Sequence, residues 1–293
     1  MTSLTQKTII VWTWICTMLL TAAVCGIVGF LLYKGIPVLG KKLIFGSTPP
    51  LAALLLQKPV FSALLPAIAG TLMLVVTAVF LALPMGICAG IYLAEYSHGR
   101  MKTFISLLFD VLAGIPSIVV GLFGFSLTVF LHHTVSRQIY PCLLISAFSL
   151  AFLVLPYLIR STQTALENLP SRIRIVAPSL GATRLQNLRL VLLPKAMDGI
   201  VSGVILAIGR CAEDTAVIML TGAVASAGIP KSLLGAYEAL PFYIYYISSQ
   251  YMDREELLNG YGAAVILLVL CSMLFGLSMV IKRGLAARLH GSI

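Results

Sequence analysis

The sequence predicts an all-α integral membrane protein with six transmembrane helices, on three observations. Of its 293 residues, 59% are hydrophobic and only 10% are charged, with a mean hydropathy of +1.02. Soluble domains carry roughly a quarter charged residues and disordered segments are low in hydrophobicity, so neither class describes most of this chain. Apolar runs long enough for a spanning helix of about 20 residues recur along it. Its Lys and Arg residues gather between those runs, a topological pattern rather than a nucleic-acid footprint.

The first run, Ile9 to Tyr33, outlasts the roughly 7 to 15 apolar residues of a signal-peptide core and reads as a retained helix. The second covers Leu64 to Ala94 with a kink expected at Pro84, and the third Phe104 to Leu131 with a kink expected at Pro116. The fourth covers Ile139 to Ile159, the fifth Gly199 to Val224 and the sixth Tyr261 to Ile281. This divides the chain into an N-terminal helix with its outer loop (1–63), a transmembrane domain (64–282) containing a long inner loop (160–199), and a short tail (283–293). Cys16, Cys25, Cys88, Cys142, Cys211 and Cys271 all fall in apolar runs and read as packing residues.

Basic residues set the orientation. One side collects Lys7, Arg100, Lys102, Arg160, Arg172, Arg174, Arg184, Arg189, Lys195, Lys282, Arg283 and Arg288; the other has Lys34, Lys41, Lys42, Lys58, Arg137, Lys231 and Arg254. The richer side is cytoplasmic by the positive-inside rule, which places both termini inside. A second long loop, Ala225 to Gly260, is then external, and its Pro241-Phe242-Tyr243-Ile244-Tyr245-Tyr246 run suits an interfacial aromatic anchor better than a substrate-stacking cage.

Catalytic signatures are missing: the chain contains no HExxH, GxSxG or GxxxxGK[ST]. No metal site is expected, because the adjacent His132 and His133 supply too few ligands and no CxxC pair occurs. If ATP drives this protein, another subunit binds the nucleotide.

In the inner loop, Ile173, Val176, Ala177 and Leu180 follow helical spacing behind Pro170. Gly181 permits a turn at positive φ, and Leu185, Leu188 and Leu192 then continue at helical spacing to Pro194. The expected product is a helix–turn–helix with an apolar stripe and a basic rim of Arg172, Arg174, Arg184 and Arg189, fit either to dock a partner protein or to lie on the anionic inner leaflet.

The fifth span reads Arg210-Cys211-Ala212-Glu213-Asp214-Thr215 at its centre, three ionisable groups at mid-membrane depth. Each costs about 2.5 to 3.5 kcal/mol there on insertion scales unless paired or wet. Arg210 lies i,i+3 from Glu213 and i,i+4 from Asp214, so both acids can approach it. One cation cannot neutralise two carboxylates, which leaves a protonated acid, a cation from another chain, or an Arg shared with a ligand. Against a purely structural ion pair stands an anion site, since the guanidinium offers a planar fork of donors to phosphate or sulfate oxygens.

Gly181-Ala182-Thr183-Arg184, with nine residues separating Gly181 from Val191-Leu192-Leu193-Pro194, resembles the EAA loop of ABC importer permeases, whose pattern is EAAxxxG, nine residues, IxLP. The Glu-Ala-Ala positions hold Ile175, Val176 and Ala177 here, followed by Pro178. GIVSGVILAIGRCAEDTA is similar to GIxTGxILAIxRAxGETA of the phosphate-importer permease family PstA, and LAGIPSIVVGLFGF and the Leu240-Pro241 region resemble the same family. Arg210 matches the family's intramembrane Arg, Asp214 takes the place of its Glu, Thr215 matches, and Glu213 stands where the family has Gly.

The resemblance implies a type I ABC importer permease fold in a bacterial cytoplasmic membrane, importing phosphate by alternating access. It further implies a substrate pathway at Arg210, Glu213, Asp214 and Thr215, and an ATPase-coupling loop at Ala177, Gly181, Ala182, Thr183, Arg184, Leu193 and Pro194. The implied partners are a PstC-like second permease, two PstB-like ATPase subunits that use ATP and Mg, and an extracytoplasmic phosphate-binding protein; no cofactor resides in this chain. Rival readings are an ABC permease for another oxyanion or acidic solute, and an ion-coupled carrier with Glu213 or Asp214 as the proton site. A membrane hydrolase fails for want of a nucleophile and base.

Overall fold

The computed structural model describes residues 3–46, 63–137, 139–230 and 232–290. Lys58, Lys231 and the side chain of Arg288, which entered the charge comparison, lie outside the described residues, as does most of the first outer loop. Among the described residues six helices are long and apolar enough to cross a membrane.

The first long helix, α1 (Ser3–Gly35), is exposed along its apolar length and meets the rest of the chain near its end. There Phe30 sets its ring edge-on to Tyr261, with centroids 5.8 Å apart, and Gly35 lies against Tyr261 and Val265. A short α2 (Lys41–Phe45) follows. The second long helix, α3 (Leu65–Ile91), continues unbroken through Pro84 into a wide turn at Tyr92–Tyr96. Next come α4 (Gly99–Ala113), α5 (Ser117–Thr134) and α6 (Leu143–Glu167). The inner loop holds α7 (Ser171–Ser179) and α8 (Arg184–Asn187), and a second wide turn, Leu188–Leu192, runs straight into α9 (Leu193–Glu213). The chain closes with α10 (Ala216–Thr221), α11 (Leu240–Gln250) and α12 (Arg254–His290).

At the centre stands α6, two thirds of whose apolar stretch is buried. It packs against α3, α9, α5 and α10. Helices in a bilayer gain little from apolar burial against each other, so close approach over small residues does the work. A Cβ on Gly86 would stand 2.7 Å from Leu158 Cβ, and one on Gly90 would stand 2.6 Å from Thr162 Cβ, which is how α3 reaches α6. On α9, Gly199 and Gly203 admit Ala165 and Ser161 of α6 in the same way.

The third span, the fifth span and three of the cysteines need correction, and the 225–260 loop gains a helix. The third span is two elements, because Gly114 and Pro116 break the helix; only α5 is long and apolar enough to span. Amphipathic α4 instead follows the C-terminal half of α6, held by Lys102–Glu167 at 2.7 Å, Arg160–Asp110 at 3.3 Å, and the Tyr157 hydroxyl donating to the Ala113 carbonyl at 3.2 Å. The fifth span does not run to Val224: α9 ends at Glu213, because Asp214 adopts an extended backbone (φ −72°, ψ 118°). The external loop contains α11, on which Leu240 and Pro241 are buried and Tyr245 and Tyr246 exposed. Of the cysteines, Cys142 and Cys211 are packing residues, whereas Cys16, Cys25 and Cys88 are exposed on faces that the apolar composition alone did not distinguish.

Candidate functional site

Helical spacing divides α9 into two faces. Ala196, Ile200, Gly203, Ala207 and Cys211 turn into the core, and Ser202, Leu206, Gly209, Arg210 and Glu213 line a groove of about 630 Å³. Phe275 and Met279 of α12 and Tyr157 of α6 complete it. Gly209 lets the Phe275 ring lie against α9, since a Cβ there would stand 2.6 Å from Phe275 Cζ. The walls are mainly apolar, and Arg210 is the fixed cation among them.

The Arg210 guanidinium carbon lies 5.8 Å from the centroid of the Tyr157 ring, and its Nη1 is 3.6 Å from Glu213 Oε1. That separation is an ion pair without a hydrogen bond, and both side chains remain substantially exposed (43% and 63%). The donors of the guanidinium are therefore open toward the groove. Asp214 has a different place: it is buried, and its Oδ1 accepts the Val217 amide at 2.9 Å, satisfying one of the free donors that open α10. Thr215 sits at the same turn, its carbonyl accepting the Met219 amide at 3.0 Å. The structure thus brings Arg210 and Glu213 together in the groove and puts Asp214 and Thr215 into the break that ends α9. Among the described residues, no group of three His, Cys, Asp or Glu is placed to hold a metal; His132 Nδ1 is engaged by the Ile139 carbonyl at 2.9 Å.

The inner loop forms the expected helix–turn–helix. The Ala177 carbonyl accepts the amides of Leu180 and Ala182, both at 3.1 Å, and Gly181 turns at φ +85°. Thr183 caps α8 through a capping box: its hydroxyl accepts the Gln186 amide at 3.3 Å while its own amide donates to Gln186 Oε1 at 2.8 Å. Leu193 and Pro194 open α9, and Leu193 packs against the inner cluster of Leu166, Leu188, Leu192 and Ile200. Arg184 borders a small polar cavity of about 220 Å³ with Glu95, His98 and Arg174. The apolar stripe is only partly covered. Ile173 joins the inner cluster, but Ile175, Val176, Leu180, Leu185 and Leu190 are exposed beside the basic rim.

A family model described as "binding-protein-dependent transport system inner membrane component" matches residues 86–288, a stretch that contains both the groove and the loop. The chain belongs to that family. The phosphate transport system permease protein PstA of Haemophilus influenzae is 32% identical over 253 residues, covering 86% of this chain and 85% of the relative. PstA 1 of Mycobacterium tuberculosis is 34% identical over 204 residues, 69% of this chain and 64% of that protein. Among solved structures, an inward-facing MetNI methionine ABC transporter superposes with a TM-score of 0.60 at 17% identity, covering 81% of this chain and 99% of that one. An amino acid ABC transporter superposes with a TM-score of 0.52 at 18% identity, covering 73% and 89% of the two chains. The fold is that of the type I ABC importer permeases.

In this permease the family match begins at Gly86, within α3, so α1 and the first outer loop lie before it. Three functional features escaped the sequence reading. Tyr157 under Arg210 looked like an ordinary span residue. Glu95, paired to Arg174, lies far from it in sequence. Asn187 donates to the Arg174 carbonyl at 3.0 Å; the signal for it was Pro178, whose missing amide leaves that carbonyl without its helical donor.

Proposed function

We propose that this permease is one membrane subunit of an ATP-driven importer of inorganic phosphate in a bacterial cytoplasmic membrane, with both termini inside. The observation that carries the reading is the exposed guanidinium of Arg210 on the wall of a mainly apolar groove at the end of α9. A desolvated anion meets charge-assisted donors there and little competing water. Several relatives are named as phosphate transport permeases, which supports phosphate over other oxyanions. Glu213 at 3.6 Å weakens the hold of Arg210 on an anion enough to allow release. Asp214 and Thr215 serve the pathway by fixing the break that presents both groups.

The groove is open in the single chain, and a PstC-like second permease closes it into a path. Two PstB-like ATPase subunits use ATP and Mg, and one of them docks on Ile175, Val176, Leu180 and Leu185 beside Arg172 and Arg189. Ala177, Gly181, Ala182, Thr183, Arg184, Leu193 and Pro194 shape that surface and carry its motion to α9. An extracytoplasmic phosphate-binding protein delivers the anion, and alternating access moves it inward.

The test is uptake of radiolabelled phosphate by the complete complex under ATP depletion and under uncoupling. ATP-dependent uptake that Arg210→Ala abolishes, with assembly intact, is the expected result. Uptake that ignores phosphate, follows the proton gradient, or survives Arg210→Ala overturns the reading.

A further inference from the structure

We propose that Arg174 is the positioning residue that makes the inner loop move as one body with α3 and α6, an inference that rests on the loop being the ATPase-facing element. Helix α7 has nine residues, too few to be stable alone, and Pro178 removes one of its hydrogen bonds. With Ile175, Val176 and Leu180 exposed, little apolar burial holds it in place. Beyond the packing of Ile173, its attachment runs through Arg174.

The guanidinium splits between two elements. Nη1 meets Glu95 Oε1 at 2.6 Å, in the wide turn that ends α3, and Nη2 donates to the Leu166 carbonyl in the last turn of α6. Both charged side chains are mostly covered, Arg174 at 27% exposure and Glu95 at 18%, so solvent weakens this pair less than an exposed one. The Arg174 backbone carbonyl accepts Asn187 Nδ2, tying α7 to the helix on the far side of the Gly181 turn. One residue therefore joins α3, α6, α7 and α8.

The grip on α6 also bears on the groove. Leu166 and Tyr157 share α6, nine residues or about 13.5 Å apart along the axis, and Tyr157 carries the Arg210 guanidinium on its ring. A displacement of the loop pulls directly on the helix beneath the proposed anion site. A lysine cannot reproduce the two-directional fork, so the role requires arginine.

Two readouts test this in the complete complex reconstituted with its ATPase subunits and binding protein. The first is phosphate moved per ATP hydrolysed for Glu95→Gln, Arg174→Gln and Arg174→Lys. The second is the distance distribution between spin labels at Met85→Cys on α3 and Ser171→Cys at the start of α7, both exposed positions outside the proposed docking residues, with Cys16, Cys25, Cys88 and Cys271 replaced. Glu95→Gln and Arg174→Gln are expected to retain assembly and ATP hydrolysis, lose transport per ATP by about fivefold or more, and broaden the distribution. Arg174→Lys falls between them and wild type. Transport and hydrolysis falling in parallel with an unchanged distribution overturns the proposal, as does no change in either. Because the distance needs no cargo, it decides the matter even if wild type ignores phosphate, an outcome that defeats only the phosphate reading.

Discussion

Asp214 Oδ1 accepts the Val217 amide at 2.9 Å, so the acid that sequence spacing offered to Arg210 instead opens the next helix. Replacing it with Ala leaves a buried amide unsatisfied and removes a helix cap, a loss of about 1 to 3 kcal/mol. Asp214→Asn keeps an acceptor in place and should retain most of that stability. Thermal unfolding of the detergent-solubilised complex is expected to rank wild type, Asn, Ala; equal destabilisation by both would show that the carboxylate charge, and not the cap, matters.

Gly70 meets the backbone carbonyl of Glu238, where an added Cβ would collide with an atom that cannot rotate away. Gly70→Ala should therefore cost about 1 to 3 kcal/mol through overpacking, and it should loosen the outer loop from α3. Gly26 on α1 has no neighbour within 4 Å of an added Cβ, so Gly26→Ala is expected to change stability by no more than about 0.5 kcal/mol. Parallel unfolding curves check the contrast.

Gly181 lies in open space at φ +85°, so a side chain there costs backbone strain and not a clash. Gly181→Ala should cost roughly 1 to 2 kcal/mol locally, and Gly181→Asn less, because Asn visits that conformation. ATP-coupled uptake is expected to fall in the order Gly, Asn, Ala without loss of assembly. If Ala and Gly behave alike, the turn has no part in coupling.

Glu238, in the outer loop after α10, accepts the amides of Ala227 and Gly228 at 2.9 and 2.8 Å. Burial pushes its carboxyl above the usual carboxylate value, against the lowering effect of those two amides. At pH values between the unfolded and the raised folded value, the folded loop therefore binds more proton than the unfolded chain. Its contribution to stability is full below the unfolded value and is lost as pH rises through the raised folded value. Hydrogen exchange at Ala227 and Gly228, corrected for intrinsic rate, should show the loop loosening across that window. Glu238→Gln, which still accepts both amides, should abolish the pH dependence.

Much of the architecture was legible because a bilayer imposes length and polarity on each span. Four of the six expected spans coincide with one long helix each, and Gly181, Thr183 and Pro194 sit at the turn, cap and helix start that their chemistry demands. The break after Glu213 was written locally too, in an Asp-Thr pair before an apolar stretch, but apolar continuity to Val224 hid it. The third span failed for the same reason: hydropathy carried across Gly114-Ile115-Pro116, where the backbone could not.

By itself the sequence determined the membrane class, the positions of the apolar helices, the loop with its glycine turn, and the fixed cation at Arg210. These depend on composition, period and backbone chemistry, which act over a few residues. Only the tertiary structure decided which acid faces Arg210, that Tyr157 lies beneath it, and that Arg174 binds Glu95 and Leu166. Those choices depend on which helices approach over their glycines, and residues 79 or 53 positions apart carry no local mark of meeting.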